Sequence, residues 1–141
     1  CGRNARLRRS LQARYENAEE REGRIAIRGF VRDVDRLMDA ASLVVSKAGG
    51  LTTAESLAKR RPMLILDPIP GQEERNCNYL VEAGAAIRLE SVEEVGGRVR
   101  EVLGPAGRLP LMEASASLIS RPLAARTVAE LVAGGVDANG R

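Results

Sequence analysis

The segment Ser46-Lys47-Ala48-Gly49-Gly50-Leu51-Thr52-Thr53-Ala54-Glu55 joins a glycine pair to the start of a helical pattern. Ahead of it, Ser42 to Ser46 (SLVVS) is a continuous apolar run of the kind that forms a buried parallel strand. A strand turning through Gly49 and Gly50 into a helix presents unpaired main-chain N–H groups, and the helix dipole there favours an anion. The two glycines let a diphosphate approach the backbone. Thr52 and Thr53 add hydroxyl donors, and Glu55, in the first helical turn, can accept hydrogen bonds from vicinal sugar hydroxyls. A plainer reading competes: Thr52 and Glu55 have capping-box spacing, and the glycines make a tight turn. On these residues alone both readings stand.

A second loop is Asp67-Pro68-Ile69-Pro70-Gly71, followed by Gln72, Glu73, Glu74, Arg75 and Asn76. Its two prolines fix the backbone, so the polar side chains after it are held in place. Gln72, Glu73 and Asn76 offer donors and acceptors suited to sugar hydroxyls. Alternatively, Glu73 and Glu74 are favourable first-turn charges and Gln72 a cap. The third loop, Gly29 to Asp33, has main-chain groups that can pair with the edge of a base, with Phe30 as a wall; otherwise Phe30 is core and Asp33 an N-cap.

Composition excludes several classes. Histidine is absent, so imidazole acid–base chemistry cannot reside here. Two cysteines, Cys1 and Cys77, are too few for a zinc site and form no disulfide framework; Cys77 reads as a small core residue, and a reducing, cytoplasmic setting is the default. Tyr15, Tyr79 and Phe30 are the only aromatics, which leaves no surface for stacking bases, and a net charge of +3 is too mild to indicate nucleic acid. No segment has the length of a membrane span.

The elements that must position these loops alternate. Leu7, Leu11, Tyr15 and Ala18 trace a helix surrounded by Arg3, Arg6, Arg8, Arg9 and Arg14, a basic face that is either solvated or turned to anionic lipid headgroups. Arg24 to Phe30 (RIAIRGF) reads as a strand. Val34, Leu37, Met38 and Ala41 give a second helix. Pro62 to Leu66 is a buried strand, Cys77, Leu80 and Val81 mark a helix that stops at Gly84, and Ala85 to Leu89 is a last strand. Ser91 and Glu94 suggest a capping box for a helix carrying Val92, Val95, Val99 and Leu103. Leu109 to Ile119 is a further helix, and Pro122 suits the first turn of a terminal one through about Val132. The expected fold is α/β: a Rossmann-like parallel sheet with helices on both faces, binding its ligand beyond the carboxyl ends of the strands. The expected domain is 1–133, with 134–141 a flexible tail.

Taken together, GFVRDVDRLMDAASLVVSKAGGLTTAESLAKRRPMLILDPIPGQEERNCNYLVEAGAAI resembles the C-terminal domain of family 28 glycosyltransferases. Within that family it resembles the diacylglycerol glucosyltransferases and monogalactosyldiacylglycerol synthases, and more distantly the peptidoglycan lipid N-acetylglucosaminyltransferase. The likeness runs from Cys1-Gly2-Arg3-Asn4 to Arg121-Pro122-Leu123-Ala124-Ala125 and is most specific over Lys47 to Glu55 with Pro68 to Asn76. It implies the C-terminal half of a GT-B fold, in which this domain binds the UDP-sugar donor. It also implies that the acceptor lipid and the catalytic base belong to an N-terminal domain, so no catalytic residue is assigned here. By the same implication Phe30 and Val31 flank the uracil, and Gly49, Gly50, Leu51, Thr52 and Thr53 sit at the diphosphate. Glu55 holds the ribose hydroxyls, while Gln72, Glu73 and Asn76 reach the donor sugar or its phosphate. No metal or prosthetic group is implied.

The family pattern opens with a strand, a Gly-rich phosphate loop, a helix and a second strand, whereas this chain opens at Cys1-Gly2, read as the end of that second strand. The missing opening strands predict exposed sheet edges, marginal stability or self-association, and no turnover from these residues alone. The expected function is transfer of a hexose from a UDP-sugar to a diacylglycerol-type lipid, with the parent enzyme peripheral to the inner face of the membrane. Competing readings are a UDP-N-acetylglucosamine-using transferase for a cell-wall lipid intermediate, a UDP-sugar epimerase, which needs no acceptor, and a non-catalytic nucleotide-binding module.

Overall fold

The computed structural model describes residues 1–15 and 25–134. It divides into two compact units, Cys1–Arg36 and Leu37–Arg141.

In the first unit α1 spans Ala5–Tyr15 and buries none of its residues. Its start is set by Asn4, whose Oδ1 accepts from the Leu7 N–H at 2.9 Å, a side-chain cap on an otherwise orphaned donor. Ala18 of the anticipated helix lies outside the described residues. The strand expected over 24–30 is not formed: residues 25–30 are irregular, and Arg24 lies outside the described residues. A short apolar run alone does not make a strand, since a strand exists only through a ladder. Here the Arg28 carbonyl accepts instead from the Cys1 ammonium at 3.0 Å, and the Ile27 carbonyl from Gln12 Nε2 at 3.5 Å. Next in the chain is α2 (Val34–Ala40).

The second unit is β1 (Val44–Ser46), α3 (Gly50–Ala58), β2 (Met63–Leu66), α4 (Gln72–Glu82), β3 (Ala86–Leu89), α5 (Glu94–Leu103), α6 (Leu109–Ile119) and α7 (Ala124–Ala133). The strands form one parallel sheet in the order β1-β2-β3. Val44 stands opposite Met63, and Met63 opposite Ala86. Successive β2 side chains point to opposite faces, so its all-apolar run fills two cores. Met63 and Ile65 pack with Leu57 of α3, Cys77 and Leu80 of α4 and Ala116 of α6. Leu64 packs on the other face with Leu89, Val102 of α5 and Met112 of α6. Met63, Leu64 and Ile65 are fully buried, each contributing about 1.5–3 kcal/mol of hydrophobic stabilisation. This is the anticipated Rossmann-like arrangement, a parallel sheet between helices.

Three end signals fall differently from expectation. The helix expected from Ser91 begins at Glu94 with Glu93 at the cap position and no side-chain cap bond, so the Ser91–Glu94 box is not formed. Pro122 precedes the N-cap Leu123 and stands outside α7. The segment over α3 begins at Gly50, two residues before Thr52. Cys77 is fully buried, as expected, and burial pushes its thiol pKa up. Of the expected tail only Gly134 lies within the described residues, as the C-cap of α7.

Candidate functional site

Because β1, β2 and β3 are parallel, the segments that leave their carboxyl ends lie on one side of the sheet. Two of them carry most of the residues singled out from sequence. After β1, Gly49 takes the N-cap position of α3 with an extended backbone (φ −64°, ψ 142°), and its carbonyl accepts from the Thr53 N–H at 2.9 Å. No side chain caps this helix, so the Thr52–Glu55 capping box is not formed. With Gly50 as the first helical residue, Glu55 falls in the second turn and not the first; it is exposed. Leu51 is 82% exposed, whereas Thr53 is 8% exposed with an Oγ1 that finds no hydrogen-bond partner. A buried hydroxyl without a partner is uncommon in folded proteins.

After β2, Gly71 caps α4 with φ +106°, a conformation that only glycine adopts without strain, so Gln72 is the first helical residue and not the cap. Glu73 and Glu74 are first-turn charges, as one reading anticipated. Glu73 Oε2 accepts from the Ile69 N–H at 3.0 Å and so braces the proline loop.

The two segments meet. Asn76 Nδ2 donates to the carbonyl of buried Ala48 at 2.9 Å. A Cβ placed on Gly50 would lie 3.4 Å from Gln72 Nε2, and one on Gly49 would lie 4.0 Å from Glu73 Oε1. Gly49, Gly50, Gln72, Glu73 and Asn76 are therefore one constellation, with two uncapped helix starts facing it. Ion pairing adds Lys47 and Asp67, which sequence reasoning did not single out: Nζ stands 3.9 Å from Oδ2. Beside Asp67, a cleft of about 380 Å³ runs over the ends of β2 and β3, lined by Pro68, Arg88, Glu90 and Ser91 among others. Phe30 and Val31 belong to the first unit, where they line a cleft of about 570 Å³ with Arg8, Arg28 and Arg32. Phe30 is 63% exposed, so the alternative that made it core is not what the structure has. The Arg3 guanidinium lies 5.4 Å from its ring centre.

A larger cavity, about 760 Å³, opens near the C-terminal end of α3 and beside α6. Two of its three cations, Lys59 and Arg61, have local acidic partners. Lys59 pairs with Asp39 at 2.7 Å and Arg61 with Glu113 at 3.8 Å, and basic residues complement the negative end of a helix. Among the described residues no group of three or more Cys, Asp or Glu is placed to hold a metal ion, and no helix is long and apolar enough to cross a membrane.

Sheet, crossover helices and polar groups gathered beyond the strand ends define a Rossmann-like α/β domain of the kind that takes its ligand at that edge. The chain belongs to glycosyltransferase family 28: the model of that family's C-terminal domain matches residues 1–132. It is similar to the processive diacylglycerol beta-glucosyltransferase of Bacillus mycoides (strain KBAB4), 30% identical over 122 residues that cover 86% of this chain and 31% of that protein. The enzyme of the same name from Staphylococcus carnosus (strain TM300) is 35% identical over 94 residues, 67% of this chain and 23% of that protein. The one from Bacillus subtilis (strain 168) is 32% identical over 114 residues, 80% and 29% respectively. The chain thus spans less than a third of the length of these relatives.

Proposed function

We propose that this chain is the UDP-sugar-binding domain of a hexosyltransferase that glycosylates a diacylglycerol-type lipid. The observation that carries the reading is the constellation at the strand ends, where the Gly49-Gly50 helix start meets Gln72, Glu73 and Asn76 through the Asn76–Ala48 bond. Main-chain N–H groups without side-chain caps suit a diphosphate. In this reading Gly49, Gly50, Leu51, Thr52 and Thr53 surround the diphosphate, and the unpaired Thr53 hydroxyl gains a partner there, directly or through water. Glu55 holds the ribose hydroxyls, and Gln72, Glu73 and Asn76 engage the sugar or its phosphate. Departing UDP is stabilised by fixed dipoles as charge develops on it, without a metal.

Lipid acceptor and glucose as the donor hexose are proposed from the names of the relatives. The parent enzyme is proposed to associate peripherally with the inner face of the membrane. Self-association of this chain is proposed through the outer edge of β1, which pairs with β2 alone among the described residues and leaves Val45 42% exposed. The donor reading is tested by calorimetric titration of UDP, then UDP-glucose, UDP-galactose and UDP-N-acetylglucosamine, into the chain. Saturable UDP binding that Glu55→Ala weakens is expected. Absence of UDP binding, or binding indifferent to Glu55→Ala and to the sugar, would refute it.

A further inference from the structure

Lys47 and Asp67 are the residues that immediately follow β1 and β2, neighbouring parallel strands whose last paired residues include Ser46 opposite Ile65. They form an ion pair of 3.9 Å with side chains 50% and 91% exposed. A pair so long and so open holds its partners weakly. Yet Asp67 sits at φ +42°, a left-handed conformation that a residue bearing a Cβ adopts at a cost. Strain of that kind clusters at ligand-binding sites. The segments 47–49 and 67–71 contain one cation, Lys47, and one anion, Asp67. Glu73, next along, is already engaged by the Ile69 N–H. A diphosphate seated at the Gly49-Gly50 helix start therefore meets Lys47 as the adjacent countercharge, with Asp67 as its competitor.

We propose that Lys47 is the charge-matching residue of the donor site, held by Asp67 in the free protein and released to the donor's diphosphate on binding. This rests on the donor-site reading above. The ammonium has three donors on a flexible stem, so it can exchange a weak exposed carboxylate partner for a phosphate without rearranging the backbone. Asp67 keeps the cation at the strand ends and raises the selectivity for a ligand with enough negative charge to displace it.

The test is calorimetric titration of UDP and of uridine into wild type, Lys47→Met, Lys47→Arg and Asp67→Asn. Loss of a charge-assisted contact should weaken UDP binding by about tenfold in Lys47→Met. Uridine affinity should be unchanged, and Lys47→Arg should recover most of the loss. Asp67→Asn, which removes the competitor, should tighten UDP binding by about threefold. UDP affinity equal to wild type in Lys47→Met, or an equal loss for UDP and uridine, would overturn the assignment while leaving the donor site standing. Weaker UDP binding in Asp67→Asn would overturn the exchange. Wild type that binds neither ligand would overturn the donor-site reading, and this one with it.

Discussion

Asn76, in the second turn of α4, donates from Nδ2 to the main-chain carbonyl of Ala48 at 2.9 Å, 28 positions earlier in the chain. Ala48 is fully buried, so this carbonyl has no access to water. The bond fixes the approach to the α3 start against the α4 start, which makes Asn76 structural before any ligand arrives. Asn76→Leu strands a buried acceptor and is expected to cost about 1–3 kcal/mol in urea denaturation. Asn76→Asp should cost more at neutral pH, because an ionised carboxylate faces the carbonyl oxygen, and should improve on acidification as that carboxylate gains a proton. A stability unchanged in both variants would show that the bond contributes nothing.

Arg60 follows the C-cap of α3 with φ +57°. Its N–H and that of Arg61 return to the carbonyls of Leu57 and Ser56 at 2.9 and 2.8 Å, the wrap that ends a helix in a left-handed residue. Glycine is the usual occupant of that position, because a Cβ there clashes with the following carbonyl. Arg60→Gly is expected to stabilise the fold by about 1 kcal/mol, seen as a melting temperature a few degrees higher. Arg60→Ala, which keeps the Cβ, should gain nothing. Equal responses from the two variants would sink the strain argument.

Cys77 is buried between α4 and the sheet, and burial raises its thiol pKa, with Arg88 lowering it and Glu74 and Glu90 raising it to lesser degrees. A raised folded-state pKa means that the unfolded chain loses this proton first as pH rises. The associated stability is complete below the unfolded thiol's pKa of about 8.5 and is lost as pH climbs through the folded value. Alkaline unfolding is therefore expected to include a component that Cys77→Ala removes. A thiol reagent at neutral pH should label exposed Cys1 alone until denaturant is added. Labelling of both cysteines in the native protein would contradict this burial.

Most of the second unit was legible in the residues. SLVVS and PMLIL are short, apolar and bounded by turn residues, so β1 and β2 followed from them, and Leu109–Ile119 matches α6 at both ends. The three-loop resemblance named the family that the comparison establishes. What failed was local. Thr52–Glu55 and Ser91–Glu94 have capping-box spacing, but Gly49 and Glu93 hold the cap positions, because a helix begins where the chain can leave its strand. Arg24 to Phe30 holds a short apolar run that reads as a strand, yet within residues 25–30 the Arg28 carbonyl finds another partner, and no sequence pattern reveals a missing ladder. Lys47–Asp67 was invisible for a related reason: the pairing depends on strand register, and the left-handed backbone at Asp67 carries no sequence signal of its own.

Gly50 separates the fold from its proposed use. It is the first residue of α3, where alanine is favoured over glycine by up to about 1 kcal/mol in helical propensity. A Cβ there would meet Gln72 Nε2 at 3.4 Å, ordinary contact with the tip of a flexible and exposed side chain, so the protein can accommodate it. A diphosphate drawn to the free N–H groups of this turn cannot, because the methyl group stands where close approach to the backbone is required. Gly50→Ala is therefore expected to melt at the wild-type temperature or slightly above it, while its UDP affinity falls by about tenfold or more, a loss of at least roughly 1.4 kcal/mol. Paired melting curves and UDP titrations check both halves. A variant that binds UDP as tightly as wild type would place the diphosphate elsewhere, and one that loses binding and stability together would make Gly50 a packing residue.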